Sequence, residues 1–96
     1  MAQTPTGAIN YSHQNALGTT VVKSGAGLLH SICINTKGAT SNTVTVYDNT
    51  AASGTVIAVI DTTSQVQTLL YDIGFTVGLT VVLAAGTSAD ITVSYF

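Results

Sequence analysis

Charge is what this sequence has least of. Its 96 residues include two Lys or Arg and four Asp or Glu, 6% charged, where a soluble domain ordinarily carries about 25%. The cations are Lys23 and Lys37, the anions are Asp48, Asp61, Asp72 and Asp90, and there is no Glu. A net charge of −2 with so few cations leaves no patch to neutralise phosphates, which argues against a nucleic-acid partner. One cysteine, Cys33, permits neither an internal disulfide nor a cysteine metal site. Proline occurs once, at Pro5. No apolar run approaches the ~20 residues that cross a bilayer, and Met1 to Pro5 has neither a basic nor an apolar leader region. No membrane partner is expected, and the chain is expected to remain in the compartment where it is made.

Hydroxyl and β-branched side chains take the place of charge. Thr (17) and Ser (8) make 25 residues, and Thr, Val (11) and Ile (7) together make 35. Side chains branched at Cβ are stiff at χ1 and suit a pleated surface better than a helix. Low charge with abundant Val, Ile and Leu is the opposite of a disordered composition. The length allows one domain with one modest core.

Short β-branched runs alternate with turn residues from Leu17 onward. The expected strands are 19–24, 28–35, 43–47, 55–60, 65–71, 79–83 and 89–96. In the second, strict alternation puts Leu28, His30, Ile32 and Ile34 on one face. In the third, Val44 and Val46 point inward and Thr43, Thr45 and Tyr47 outward, or the reverse. Asp72 to Gly78 reads as a glycine-punctuated crossing segment, and Leu79 to Leu83 as a strand buried on both faces. Asp48, Asn49 and Gly54 mark a structural turn, because Asp and Asn bond the local backbone and Gly accepts φ > 0. No helical period persists. The expected fold is all-β, an antiparallel β-sandwich (jelly-roll-like) of about seven or eight short strands over residues 17–96. Residues 1–16 read as an N-terminal arm, ordered only where something holds it, or as a frayed end. Within it Asn10-Tyr11-Ser12 fits a glycosylation triplet, an accidental match without a secretion signal.

Catalytic and metal chemistry find little to stand on. His13, His30 and Cys33 are the soft ligands, and strict alternation sends His30 and Cys33 to opposite faces, so no metal site is expected. His30 is expected to take a backbone partner and Cys33 to act as a small buried hydrophobe. Serines are plentiful, yet no Gly-x-Ser-x-Gly elbow and no phosphate-binding Gly-rich loop occurs. Calcium held by oxygens of Asp48, Asn49 and Asp61 is the one ion the composition leaves room for. No cofactor and no enzymatic activity are expected. The surface of such a chain must be mostly Thr, Ser, Asn, Gln, Ala and Gly, which meets another protein without burying unpaired charge. That composition points to an assembly protein that self-associates. A monomer solubilised by hydroxyls is the alternative.

A resemblance sharpens this expectation. The strand Gly27-Leu28-Leu29-His30-Ser31-Ile32, the hairpin from Thr43-Val44-Thr45-Val46-Tyr47-Asp48-Asn49-Thr50 to Ser53-Gly54-Thr55, and the ending Gly78-Leu79-Thr80-Val81-Val82-Leu83 to Asp90-Ile91-Thr92-Val93-Ser94-Tyr95 resemble small tailed-phage virion proteins. The resemblance covers most of the chain after Leu17. It implies a β-sandwich that decorates or cements a phage head by binding the major capsid protein, commonly as a homotrimer, or a collar, tail or fibre component. A host-glycan-binding module is the further alternative. The expected location is the virion, assembled in the host cytoplasm. Ile9 and Tyr11, the large apolar side chains of the arm, are the expected partner-binding residues.

Overall fold

Two-residue periodicity places every second side chain of a strand on the same face, so each strand here supplies one row to a shared interior. A computed structural model of the chain describes residues 9–96. It contains eight strands: β1 (Asn10–Gln14), β2 (Gly18–Ser24), β3 (Gly27–Thr36), β4 (Thr43–Asp48), β5 (Thr55–Asp61), β6 (Gln67–Phe75), β7 (Gly78–Ala84) and β8 (Asp90–Tyr95). They form two antiparallel four-stranded sheets, in the orders β1-β8-β3-β6 and β2-β7-β4-β5. First pairs with last, second with seventh, third with sixth and fourth with fifth. A long hairpin rolled upon itself pairs its strands in this way, which is the eight-strand jelly roll.

The core lies between the sheets. Leu29, Ile32, Ile34, Ile91, Val93 and Phe75 face in from the first sheet, and Val44, Val46, Ile60, Leu79, Val81 and Leu83 from the second. Each such side chain contributes about 1.5–3 kcal/mol by leaving water. Of the two orientations open for β4, the structure has Val44 and Val46 inside. β7 is buried on both faces, because Thr80, 0% exposed, is covered from outside by the β4–β5 connection and donates its hydroxyl to Asn49 O at 2.7 Å.

Three sequence expectations change. Asn10–Gln14, assigned to the arm, is a strand whose residues pair with β8 from Asn10↔Tyr95 to Gln14↔Ile91. Its ladder hydrogen bonds and the burial of Gln14 stand in for the apolar alternation that its sequence lacks. The rest of the expected arm up to residue 8 lies outside the described residues. β6 does not stop at Tyr71 but runs to Phe75, since a bulge near Asp72 (φ +51°) absorbs the irregularity and delivers Phe75 to the core. The register of β3 also shifts between Leu29 and Ser31. The extra residue, His30, reverses the parity of the strand, so Leu29 rather than Leu28 joins Ile32 and Ile34 inside.

Bulges also treat the sheet edges. β2 and β5 shift register at Val22 and Ile57, β6 near Asp72, and β1 is five residues long. Short or bulged edges resist the addition of a foreign strand.

One end of the sandwich is organised by Asn42, which is 0% exposed. Its Nδ2 donates to the carbonyls of Ala84 and Ala85 at 3.2 and 2.9 Å. Its Oδ1 accepts from Thr62 Oγ1 at 2.7 Å and Ala89 N at 3.1 Å. One carboxamide thus uses two donors and two acceptor sites to join the β3–β4, β5–β6 and β7–β8 connections. A Cβ on Gly38 would come within 2.5 Å of both Asn42 Oδ1 and Thr62 Oγ1, so the loop closes over this pair only with glycine there. Removing the amide orphans several buried polar groups at about 1–3 kcal/mol each. Asn42→Ala should therefore cost about 3 kcal/mol or more in urea denaturation, and a loss under about 1 kcal/mol would show that the cluster is not structural.

Candidate functional site

Cross-strand neighbours determine what each outer face offers. On the outside of the β1-β8-β3-β6 sheet, Tyr11, Ser94, Ser31 and Leu70 form one row and His13, Thr92, Cys33 and Thr68 the next. The polar members bond to one another. Ser31 and Ser94 share a hydroxyl–hydroxyl bond, Asn35 Nδ2 donates to Asp90 Oδ1 and Thr92 Oγ1, and Thr68 Oγ1 donates to Cys33 Sγ. His13 donates its Nε2–H to Asp90 Oδ1 at 2.7 Å, tying the edge strand β1 to β8. His30 donates from Nδ1 to Asp72 Oδ1 at 2.5 Å, joining the two bulges of β3 and β6, with the Phe96 ring set edge-on beside it.

The outer face of the β2-β7-β4-β5 sheet is different in kind. Its rows are Thr19, Val82, Thr45, Val59 and Val21, Thr80, Tyr47, Val56. Val21, Val56 and Val59 are exposed, Val59 by 67%, and Tyr47 and Val82 are half-buried. Asp61, paired with Thr43 at one end, is the charge bordering these rows. Lys23 is drawn away to Ala26 O at 2.9 Å. An uncharged face of branched apolar and hydroxyl side chains gives up little hydration when covered, which makes it a candidate contact surface. Ile9 is 43% exposed just before β1, and Tyr11 is 74% exposed on the outside of that strand.

The remaining sequence candidates fall as follows. Asp48 does not close its own turn. Its carboxylate accepts the backbone N–H groups of Thr76, Val77 and Gly78, between β6 and β7, at 2.8–3.3 Å. Asn49 spans its own loop, donating to Ser53 O at 2.9 Å, and Gly54 has φ +85°. The suggested calcium ligands do not converge, because Asp48 and Asp61 sit at opposite ends of the β4–β5 pair. Asp61 is engaged instead by Thr63 and Ser64. His30 bonds a carboxylate rather than backbone, and Cys33 is half-buried on the outer face rather than in the core. The bulge at His30 breaks the strict alternation that separated these two side chains. Among the described residues no three His, Cys, Asp or Glu side chains converge, and neither imidazole is hydrogen-bonded to a hydroxyl or thiol. Asn42 and Thr62 escaped the sequence reading, for an Asn or Thr beside a strand carries no mark of burial. No family model matches the chain, and comparison with curated proteins and with solved structures yields no match.

The Asp48 carboxyl is held below its ordinary value of 3.8 by the Val77 and Thr76 amides. The Thr63 hydroxyl and amide lower Asp61, and Asn35 and then His13 lower Asp90. A depressed folded-state pKa adds stability that is fully present above the unfolded value and is lost as pH falls through the folded one. Melting temperature should therefore be flat above about pH 5 and fall below about pH 4. Asp48→Asn should lower it most at neutral pH, with the two curves converging in acid. Parallel curves down to pH 2 would contradict the assignment.

Gly54→Val places a β-branched residue at positive φ, with its Cβ about 3.1 Å from Asn49 Nδ2. A loss of roughly 1–3 kcal/mol is expected. An unchanged melting temperature would mean that the turn does not need glycine.

Proposed function

We propose that this chain is a non-enzymatic virion structural protein, a decoration or cement protein that stabilises a phage head by binding the major capsid protein. The observation that carries the reading is the neutral Val, Thr and Tyr outer face of the β2-β7-β4-β5 sheet, mounted on a jelly roll whose edges are shortened or bulged. Such a body favours association through faces of side chains over strand addition, and a protein surface is the partner that a face of this chemistry suits. The resemblance of the β3, β4–β5 and β7–β8 segments to small tailed-phage virion proteins supports the same reading. Binding to the assembled shell alone stabilises that shell by mass action. Self-association, as a trimer by that resemblance, would spread the contacts over several subunits.

Undecorated heads of a phage encoding the chain, mixed with the purified protein, test this. Hundreds of bound copies per head and a raised disruption temperature are expected. A handful of copies would indicate a collar component, and none would reject head decoration. Ile9, just before β1, and Tyr11, within it on the outside of the β1-β8-β3-β6 sheet, are proposed as anchors of a second contact. Since Tyr11 is 74% exposed, Tyr11→Ala should leave fold stability within about 0.5 kcal/mol. The same variant should weaken binding to heads by roughly tenfold to a hundredfold, the value of about 1.5–3 kcal/mol of lost burial. Undiminished occupancy at limiting concentration would remove Tyr11 from the interface.

A further inference from the structure

β1 is the least firmly held strand of the sandwich. It lies at the margin of its sheet and has one neighbour there, β8. None of its five side chains belongs to the buried apolar cluster. The one side chain it buries is Gln14, 8% exposed, whose Oε1 has no hydrogen-bond partner among the described residues. The Gln14 Nε2 is engaged only within β1, by Ser12 Oγ at 3.4 Å. A buried carboxamide left half unpaired loses hydration without full replacement, which works against the docking of its strand. Side-chain bonding from β1 to the rest of the described chain comes down to His13 Nε2–H on Asp90 Oδ1, a pair open to solvent. Backbone ladder bonds, from Asn10↔Tyr95 to Gln14↔Ile91, do most of the holding. Elements with so few buried apolar contacts open locally before the whole fold does.

The receiving edge has the opposite character. Among the described edge pairings, β1 with β8 is the one that runs without a register shift. That unbroken ladder specifies one strand in one register. The connection from β1 to β2 is Asn15, Ala16 and Leu17, all exposed, none of which makes a side-chain or turn hydrogen bond among the described residues. The chain then bends at Gly18, whose φ of +145° favours glycine, yet a Cβ there would meet nothing within 4 Å. Gly18 thus serves the bend between the sheets and not their packing.

We infer that β1 exchanges between copies: it leaves its own β8 and takes the same place on the β8 of a second copy of this chain. The second copy's β1 is the occupant this edge favours, because it brings the same ladder pairs and a histidine for Asp90. Exchange of an identical element preserves those contacts and alters only the connection, which makes it a low-cost route to an oligomer. It replaces a strand rather than extending a sheet, so it leaves no open edge and agrees with the short and bulged margins. The inference concerns how copies join in the free protein, so its failure leaves the head-binding test standing.

Hydrogen exchange and cross-linking of the full chain test it. Amides of β1 should exchange at least about 100-fold faster than those of β3, an interior strand of the same sheet. For cross-linking, Tyr11 and Ser94, opposed on the outer face, are changed in separate preparations, Tyr11→Cys in one and Ser94→Cys in the other, each with Cys33→Ser. The two are incubated together at about 1 mM and treated with a short bismaleimide. Exchange sets the thiols of different chains side by side, so about nine-tenths of the cross-linked pairs should join the two kinds of chain, against about half for random collision. Gly18→Val strains the bend without a clash and should raise the oligomer fraction at least about threefold at equal concentration. Should that variant not fold, Gly18→Ala takes its place with the same expected direction. Amides of β1 that exchange no faster than those of β3 would overturn the proposal, as would cross-links near the random proportion or an unchanged oligomer fraction in whichever glycine variant folds. A fast-opening β1 in a chain that stays monomeric would assign the β8 edge to a strand of another protein and would equally overturn it.

Discussion

The Asn42 carboxamide holds three connections of this jelly roll to one another, and the rest of the architecture depends on that junction. A rolled hairpin brings distant parts of the chain side by side; backbone bonds between Ala39 and Thr87 and between Gly38 and Thr62 draw the loops at one end together, and the junction they form encloses polar groups that need a partner. Asn42 is that partner, answering two carbonyls, one amide and one hydroxyl at once. Fully satisfied, a buried polar group of this kind rigidifies its surroundings; partly satisfied, it would cost more than an apolar core. At the other end Asp48 performs a related task, gathering three successive amides of the β6–β7 turn onto one carboxylate. Between the two ends the fully buried apolar cluster is aliphatic apart from Phe75, with Tyr71 and Tyr95 packed against it.

The sequence made the strands legible because period-two patterns of Val, Ile and Leu are a direct record of burial. Spacing alone puts Val44 and Val46 on one face of β4 without fixing which way it points, and the continuous apolar run of β7 reads as a buried strand. Bulges are where that legibility ended. One extra residue at His30 exchanges the faces of β3, and the bulge near Asp72 disguises the second half of β6 as a loop. Neither leaves a mark in residue type. β1 was illegible for another reason: it is an edge strand secured by backbone ladder bonds, a polar buried Gln14 and the His13–Asp90 pair, none of which depends on apolar side chains. Of the candidate site, the neutrality of the surface was readable from composition, whereas the place of Tyr11 in a paired strand was not. The division between a polar face bonded to itself and a Val-Thr-Tyr face was not, because it needs the register of four strands.

That division explains how a protein with 6% charged residues uses its few ionisable groups. Both histidines are paired with aspartates across strands of one sheet, Asp48 and Asp61 are engaged with turn backbone or hydroxyls, and Lys23 is bonded to a carbonyl. Little charge is left over to steer a partner. Association by this body must then come from apolar burial and neutral hydrogen bonds, whose strength depends little on ionic strength.

The salt dependence of the proposed binding to phage heads therefore tests the central claim most directly. For contacts made through neutral faces, affinity should change by less than about twofold between about 50 and 500 mM sodium chloride, and rise if it changes at all. A fall of tenfold or more over that range would mean that charge holds the complex together and would contradict the account.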